Sequence, residues 1–292
     1  MTVAAFRNAR ALRTYLDSAP FGDKPLGLVP TMGALHEGHG SLIQLAREEC
    51  GTVIVSLFVN SLQFGPTEDL KNYPRRFDAD LLFCERRGVD ALFAPSEEEM
   101  YPSGTPALVA VGLEAEGLCG ASRPGHFQGV ATTVLKLFNI VRPDRAYFGE
   151  KDMQQLAVIS RMARDMNLSV DIVTGPTQRN PDGMAISSRN EYLSTEERQI
   201  AAVLYRALRV ARQRIGDGDR DPLLPKNAAL KVLEFEPLVR VEYVEIVNPE
   251  DMQAVNEIAG PVRVAAAIWI GDTRLIDNVL CEPSNKPRRR RK

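Results

Sequence analysis

Two of the chain's three histidines, His36 and His39, stand three residues apart. They lie in Pro30-Thr31-Met32-Gly33-Ala34-Leu35-His36-Glu37-Gly38-His39, which follows an apolar run and leads into a helical pattern. A helix start offers free backbone N–H groups and the positive end of a dipole, a setting for an anion. Imidazoles placed there can donate to phosphate oxygens, more strongly as negative charge grows on them. Gly33 and Gly38 let a ligand approach the backbone closely. Two other uses stay open. Paired histidines can bind zinc, although HEGH is not HExxH and no third ligand is near in sequence. They can also be surface residues on a helix cap.

Three more loops carry chemistry. Asn60-Ser61-Leu62-Gln63-Phe64-Gly65 holds a carboxamide, which binds hydroxyl and carboxylate groups without adding charge, beside apolar Leu62 and Phe64. Taken alone, Gln63 equally fits an ordinary turn. Gly149-Glu150-Lys151-Asp152, followed by Gln154 and Gln155, places a lysine suited to polyphosphate at another turn. Asp152 there reads either as a helix N-cap or as an acceptor for a ribose or hydrated Mg2+. Ala185-Ile186-Ser187-Ser188-Arg189-Asn190 supplies two hydroxyls and an arginine, and alone it fits a capped turn. Together the loops form a split phosphate cradle. GxxxxGK[ST] is absent, which excludes a P-loop, and the absence of GxGxxG disfavours a dinucleotide oxidoreductase.

The elements that must hold these loops alternate. Leu26–Val29, Thr52–Val59, Ala91–Ala94, Ala146–Phe148 and Val170–Val173 read as short buried strands. Between them lie helical patterns from Gly38 to Cys50, from Asp78 to Arg87, and from Phe127 to Val141. The last carries Val130, Val134, Leu137, Phe138 and Val141 on one face. Short connections between strands and helices predict a doubly wound parallel sheet of α/β class, with ligands at the carboxyl ends of its strands. The chemically unusual loops begin where strands should end. After Gly175-Pro176 the texture changes. Ser194-Thr195-Glu196-Glu197 predicts an N-cap opening one long helix to about Ile215, then a loop from Gly216 to Pro225. Val239–Val247, Val262–Ile270 and Arg274–Leu280 read as strands. The expected division is therefore residues 1–178 as a Rossmann-like catalytic domain and 179–292 as a smaller α+β lid domain with a basic tail.

Composition narrows the class. The chain has 292 residues, 44% hydrophobic and 25% charged, and its 36 Lys plus Arg against 38 Asp plus Glu give a net charge of −2. That balance argues against a broad nucleic-acid or membrane footprint. Only Arg288–Lys292 is a like-charge block, of the kind usually solvated. Apolar runs such as Val262–Ile270 fall short of the roughly 20 residues that span a bilayer. Arginines occupy the stretch where a secretory signal would be apolar. Cys50, Cys84, Cys119 and Cys281 lack metal or disulfide spacing. The expectation is a cytoplasmic two-domain protein.

The HxGH arrangement with a distant Lys/Ser/Arg loop resembles the nucleotidyltransferase superfamily. More specifically, PTMGALHEGH, FVNSLQFG, EDLKNYPR, SRPGHFQGV, KLFNIVRPDRAYFGEKDMQQL, DGMAISSRNEYL and GDTRLIDN resemble the pantothenate synthetase (pantoate–β-alanine ligase) family. The likeness runs from about Gly27 through Asn278 in the family's order. It implies a Rossmann-like fold and an ATP-dependent condensation of pantoate with β-alanine through a pantoyl-adenylate, releasing pyrophosphate and AMP. Within it, Met32, Gly33, Ala34, Leu35, His36, Glu37, Gly38 and His39 match an ATP segment, with His39 matching the assigned proton donor. Gly149, Glu150, Lys151 and Asp152 match a second ATP segment, and Ile186, Ser187, Ser188 and Arg189 a third. Gln178 matches a backbone contact to adenine. Gln63 matches a contact to both pantoate and β-alanine, and Gln155 a second pantoate contact. His36 and Lys151 join His39 as catalytic candidates by charge neutralisation of the leaving pyrophosphate.

The resemblance further implies Mg2+ carried with ATP, a homodimer, and no nucleic-acid or membrane partner. Ser61, Gly40 and Ala79 depart from the family. Ala79 breaks a pair of acids linked to metal, so no protein ligand to metal is assigned. Another HxGH adenylyltransferase, or a nucleotide sensor without chemistry, are the rival readings.

Overall fold

The structure, a computed structural model, describes residues 3–18, 24–66, 68–102, 104 and 107–284. The block Arg288–Lys292 lies outside the described residues. In chain order come β1 (Ala4–Phe6), α1 (Ala9–Ser18), β2 (Leu26–Thr31), α2 (Glu37–Glu49), β3 (Thr52–Leu57), α3 (Phe77–Arg86), β4 (Ala91–Phe93) and α4 (Glu97–Met100). Then follow α5 (Leu118–Ser122), α6 (His126–Val141), β5 (Arg145–Gly149), α7 (Met153–Asp165) and β6 (Asp171–Gly175). The last group is α8 (Thr195–Ala201), α9 (Val203–Gly216), α10 (Leu223–Glu234), β7 (Val239–Val247), β8 (Val262–Ile270) and β9 (Thr273–Cys281).

The chain divides into two compact units. The first comprises everything up to Gly112 with Arg123–Glu150 and Val158–Pro176; the second comprises Leu113–Ser122, Lys151–Ala157 and everything from Thr177. This differs from the single cut expected after residue 178, because two earlier segments pack with the later one.

The first unit is built on a six-stranded sheet in the order β1-β4-β3-β2-β5-β6, all pairs parallel. β2 and β3 run side by side from Leu26↔Thr52 to Thr31↔Leu57. Leu28, Val29, Val53, Ile54 and Val55 have no solvent exposure, as expected of apolar strands covered on both faces. Pro30 lies inside β2 rather than closing it, near the end where one missing ladder donor is tolerated. The strand order reverses at β2, which has β3 on one side and β5 on the other. That switch point puts the loops after β2 and β5 where open α/β sheets bind ligands. α6 buries Val130, Val134, Leu137, Phe138 and Val141, the predicted face.

The second unit has an antiparallel sheet, β7-β8-β9, on which α9 and α10 pack. Val264, Ala266, Ile268 and Ile270 alternate along β8 and meet Leu204, Leu208, Ala211 and Ile215 of α9 in one core. Two expectations need correction. The long helix to Ile215 is two, α8 and α9, which meet at Ala202. The loop expected to run to Pro225 ends earlier, because α10 begins at Leu223. Proline fits a first turn, whose N–H groups have no intrahelical acceptor. At the edge of this unit Glu242 accepts from Arg274 Nη2 at 2.7 Å and Trp269 Nε1 at 2.6 Å. Burial alone would raise this carboxyl, but hydrogen bonds from Arg274, Ser122 and Trp269 and the Arg274 charge outweigh it and hold Glu242 at about 2. A depressed acid contributes fully above its unfolded pKa and loses that contribution as pH falls through the folded one. Thermal melts of the wild type and Glu242→Gln should therefore differ at pH 7 and converge as pH falls from about 4.5 towards 2.

Candidate active site

In the first unit the loop after β2 is held from three sides. Thr31 Oγ1 donates to the Ser56 carbonyl at 2.7 Å and accepts from Gly33 N at 3.1 Å. Gly33 (φ +86°) and Ala34 (φ +51°) turn the chain through the left-handed region, where glycine is at home and alanine is strained. Asp80 of α3, 4% exposed, closes the turn: its two oxygens accept from Ala34 N at 3.0 Å and Leu35 N at 2.8 Å. Burial pushes the Asp80 carboxyl above the usual carboxylate range, against the lowering effect of those two bonds.

The loop ends on a cap made of histidines. His36 is the N-cap of α2, and its Nδ1 accepts from Gly38 N at 3.2 Å. His39 Nδ1 accepts in turn from His36 N at 3.3 Å. The rings stack with centroids 4.1 Å apart. Since each Nδ1 is an acceptor, each ring keeps its proton on Nε2, which is thereby a donor. The sequence spacing thus makes a reciprocal capping box out of two imidazoles.

Gln63 ends a 3-10 turn, Ser61–Gln63, after β3. Its Oε1 accepts from Asn60 Nδ2 at 3.0 Å, and its Nε2 donates to Met32 Sδ at 3.1 Å. The structure therefore brings Met32 and Gln63 together. Asn60, 1% exposed, also donates to the Gly129 carbonyl and accepts from Leu62 N and Tyr101 Oη. The Gln63 carbonyl is clamped by His126 Nδ1 at 2.8 Å and Arg123 Nη2 at 3.2 Å. Gly129 allows α6 to lie against this turn: a Cβ there would fall 2.4 Å from the Leu62 carbonyl oxygen. Gly149 and Glu150 also belong to this unit, at the end of β5.

In the second unit, Lys151 Nζ lies 3.6 Å from Asp152 Oδ1 with the lysine side chain 19% exposed. Gln154 is buried, accepting from Cys119 N and donating to the carbonyls of Glu114 and Gly117, so it is structural. Gln155 beside it is half-buried. The Gln178 carbonyl accepts from Ile186 N at 2.9 Å, which ties the predicted adenine position to the Ile186–Arg189 segment. Ser187 caps a 3-10 turn, Ser188–Tyr192, by accepting from Arg189 N at 3.4 Å.

Comparison with known proteins decides the family. The profile of the pantoate–β-alanine ligase family matches residues 4–280. The chain belongs to the pantoate–β-alanine ligase family. It is 49% identical to the pantothenate synthetase of Carboxydothermus hydrogenoformans over 95% of this chain and 98% of that one. It is similar to the crystal structure of pantothenate synthetase from Thermus thermophilus, with a TM-score of 0.90 and 45% identity over 95% of this chain and 99% of that one. Pantoate–β-alanine ligase from Francisella tularensis, complexed with beta-gamma ATP and β-alanine, gives a TM-score of 0.80 at 35% identity, covering 95% of this chain and 97% of that one. As a pantoate–β-alanine ligase, the chain is an enzyme of pantothenate biosynthesis that condenses its two substrates at the expense of ATP.

The structure gives the acid at position 80 a role of its own. Because Ala79 breaks the pair of acids, no protein ligand to metal is expected there. Asp80 instead has each oxygen on a loop N–H, and Ala79 offers no donor. Among the described residues no group of three His, Cys, Asp or Glu is placed to hold a metal. These residues do not fit a protein-held Mg2+. Sequence reasoning gave no individual role to Asp80, Asn60, Arg123 or His126, although the last three lie in segments it singled out. The one signal for Asp80 was an acid on the inward face of α3, four residues before buried Cys84.

Proposed function

We propose that this ligase activates pantoate before β-alanine acts, with ATP bound by the segments Met32–His39, Gly149–Asp152 and Ile186–Arg189 and by the backbone of Gln178. Mg2+ enters as part of the MgATP substrate. A pantoate carboxylate oxygen attacks the α-phosphorus, and the bond to pyrophosphate breaks. The carboxylate is already a nucleophile, so this step needs stabilisation of the departing charge rather than a base. The observation that carries the reading is the histidine cap: two Nε2–H donors fixed at the positive end of the α2 dipole. Lys151 and Arg189 add positive charge. The amine of β-alanine then attacks the acyl carbon, and AMP leaves.

Gln63 is suited to pantoate because its Nε2 rests on a thioether, a weak acceptor that a substrate hydroxyl can replace. Met32 offers an apolar contact for the dimethyl carbon, and Gln155 takes a second hydroxyl. We place the enzyme in the cytoplasm, a reading supported by four free buried cysteines. We take it to be a homodimer, in keeping with its family, which light scattering would test.

The experiment is a product balance. With ATP, pantoate and β-alanine together, pantothenate, AMP and pyrophosphate should appear in equal amounts. ADP and phosphate in their place would contradict the reading. A second expected result concerns the loop. Asp80→Asn replaces one acceptor by an N–H facing a backbone N–H. A hydrogen bond to a charged group is worth about 1.5–3 kcal/mol, so KM for ATP should rise about tenfold or more, with KM for pantoate little changed.

A further inference from the structure

The motif Gly271-Asp272-Thr273-Arg274-Leu275-Ile276-Asp277-Asn278 has no role in the mechanism above, yet it places two adjacent buried polar residues inside β9. Asp277 is 4% and Asn278 3% exposed, in a strand whose Leu275, Val279 and Cys281 belong to an apolar core. A buried ion pair is rarely more stable than apolar residues of the same shape, so stability alone does not explain it. Its contacts do. Asp277 binds the Arg179 guanidinium through both oxygens, at 2.6 and 2.9 Å. Arg179 lies over the Tyr205 ring and donates to the Gly183 carbonyl at 3.1 Å, which fixes the hairpin that pairs Arg179 with Ala185 and Gln178 with Ile186. Asn278 Nδ2 donates to the Lys151 carbonyl at 3.0 Å, while its Oδ1 accepts from Arg263 at 2.7 Å. Asn278 N is held by Asp277 Oδ1 at 2.8 Å, so the two anchors share one rigid piece of strand.

We propose that Asp277 and Asn278 are positioning residues for nucleotide: one strand segment sets the Lys151 turn through Asn278 and the Gln178–Ser187 hairpin through Asp277 and Arg179. This rests on the reading of Lys151 and Gln178 as ATP contacts. Neither β9 residue touches substrate in this account. Asn278 acts through Lys151 and Asp277 chiefly through the hairpin, with the Lys151 charge also acting on Asp277.

The test is a double-mutant cycle read by pantoate-dependent exchange of labelled pyrophosphate into ATP. Asn278→Asp keeps an acceptor for Arg263 but turns the donor to the Lys151 carbonyl into a carboxylate oxygen, which also adds a buried negative charge beside Asp277. It should raise KM for ATP about tenfold, the scale of a lost buried hydrogen bond, leaving KM for pantoate unchanged and lowering the melting temperature by only a few degrees. In the Lys151→Ala background the same substitution should change KM for ATP by less than about twofold, since coupled residues are not additive. Asp277→Asn should raise KM for ATP in both backgrounds through the hairpin, by less in the Lys151→Ala protein because the Lys151 charge also acts on Asp277. Should Asn278→Asp not fold, Asn278→Ala takes its place in the cycle. A full effect of the Asn278 substitution in the Lys151→Ala protein would overturn the proposal, as would a fall in kcat and melting temperature with KM for ATP unmoved. If Lys151→Ala by itself leaves exchange unchanged, the reading of Lys151 falls first and the proposal with it.

Discussion

Replacing His39 with alanine should slow adenylate formation by about 10²–10³-fold, the scale of losing one donor aimed at developing charge. The geometry gives the reason. His39 Nδ1 is committed to His36 N, so the ring can act on a ligand only through Nε2, and the stacked His36 ring fixes its plane. Alanine removes the donor and also frees the His36 end of the cap. Single-turnover release of pyrophosphate measures the loss, and a thermal melt shows that the fold survives. A fully active His39→Ala enzyme, or an unfolded one, would show that the ring has another role.

Gln63→Ala is the substitution expected to damage both half-reactions. A single carboxamide that meets pantoate and β-alanine contributes to activation and to amide formation, so about tenfold should be lost from each half. Pyrophosphate exchange reports the first half. Trapping of pre-formed adenylate by β-alanine reports the second. The neighbours make this a clean experiment, because Asn60 keeps partners in Leu62 N, Tyr101 and Gly129 after the glutamine is truncated. Loss confined to one half would assign Gln63 to one substrate only.

The parts of the molecule that could be read from the sequence are those set by short-range pattern. β3 is a β-branched run, α6 an apolar stripe, and the HEGH segment a strand-to-helix turn, so strands, helix and turn fell close to their observed places. The break between α8 and α9 at Ala202 has no glycine or proline to mark it, and α10 hides behind a proline in its first turn. The site residues that escaped detection act across long separations. Asp80 holds Leu35 from 45 positions away, His126 clamps Gln63 from 63, and Asn278 reaches Lys151 from 127. Each such residue looks ordinary in its own neighbourhood: an acid in a first turn, a histidine opening a helix, an amide in a strand. Only the fold gives it a partner. Neighbouring residues of one type can also differ in what they are free to do. Gln154 and Gln155 are equally polar in sequence, but the first is committed to three backbone groups.

The central claim is that pantoate is activated before the amine takes part. Its direct test is exchange of labelled pyrophosphate into ATP by the enzyme with MgATP and pantoate, in the absence of β-alanine. The account predicts exchange that requires pantoate and is fast enough to support turnover. Exchange that strictly required β-alanine would contradict it, because no pantoyl-adenylate could then form ahead of the amine.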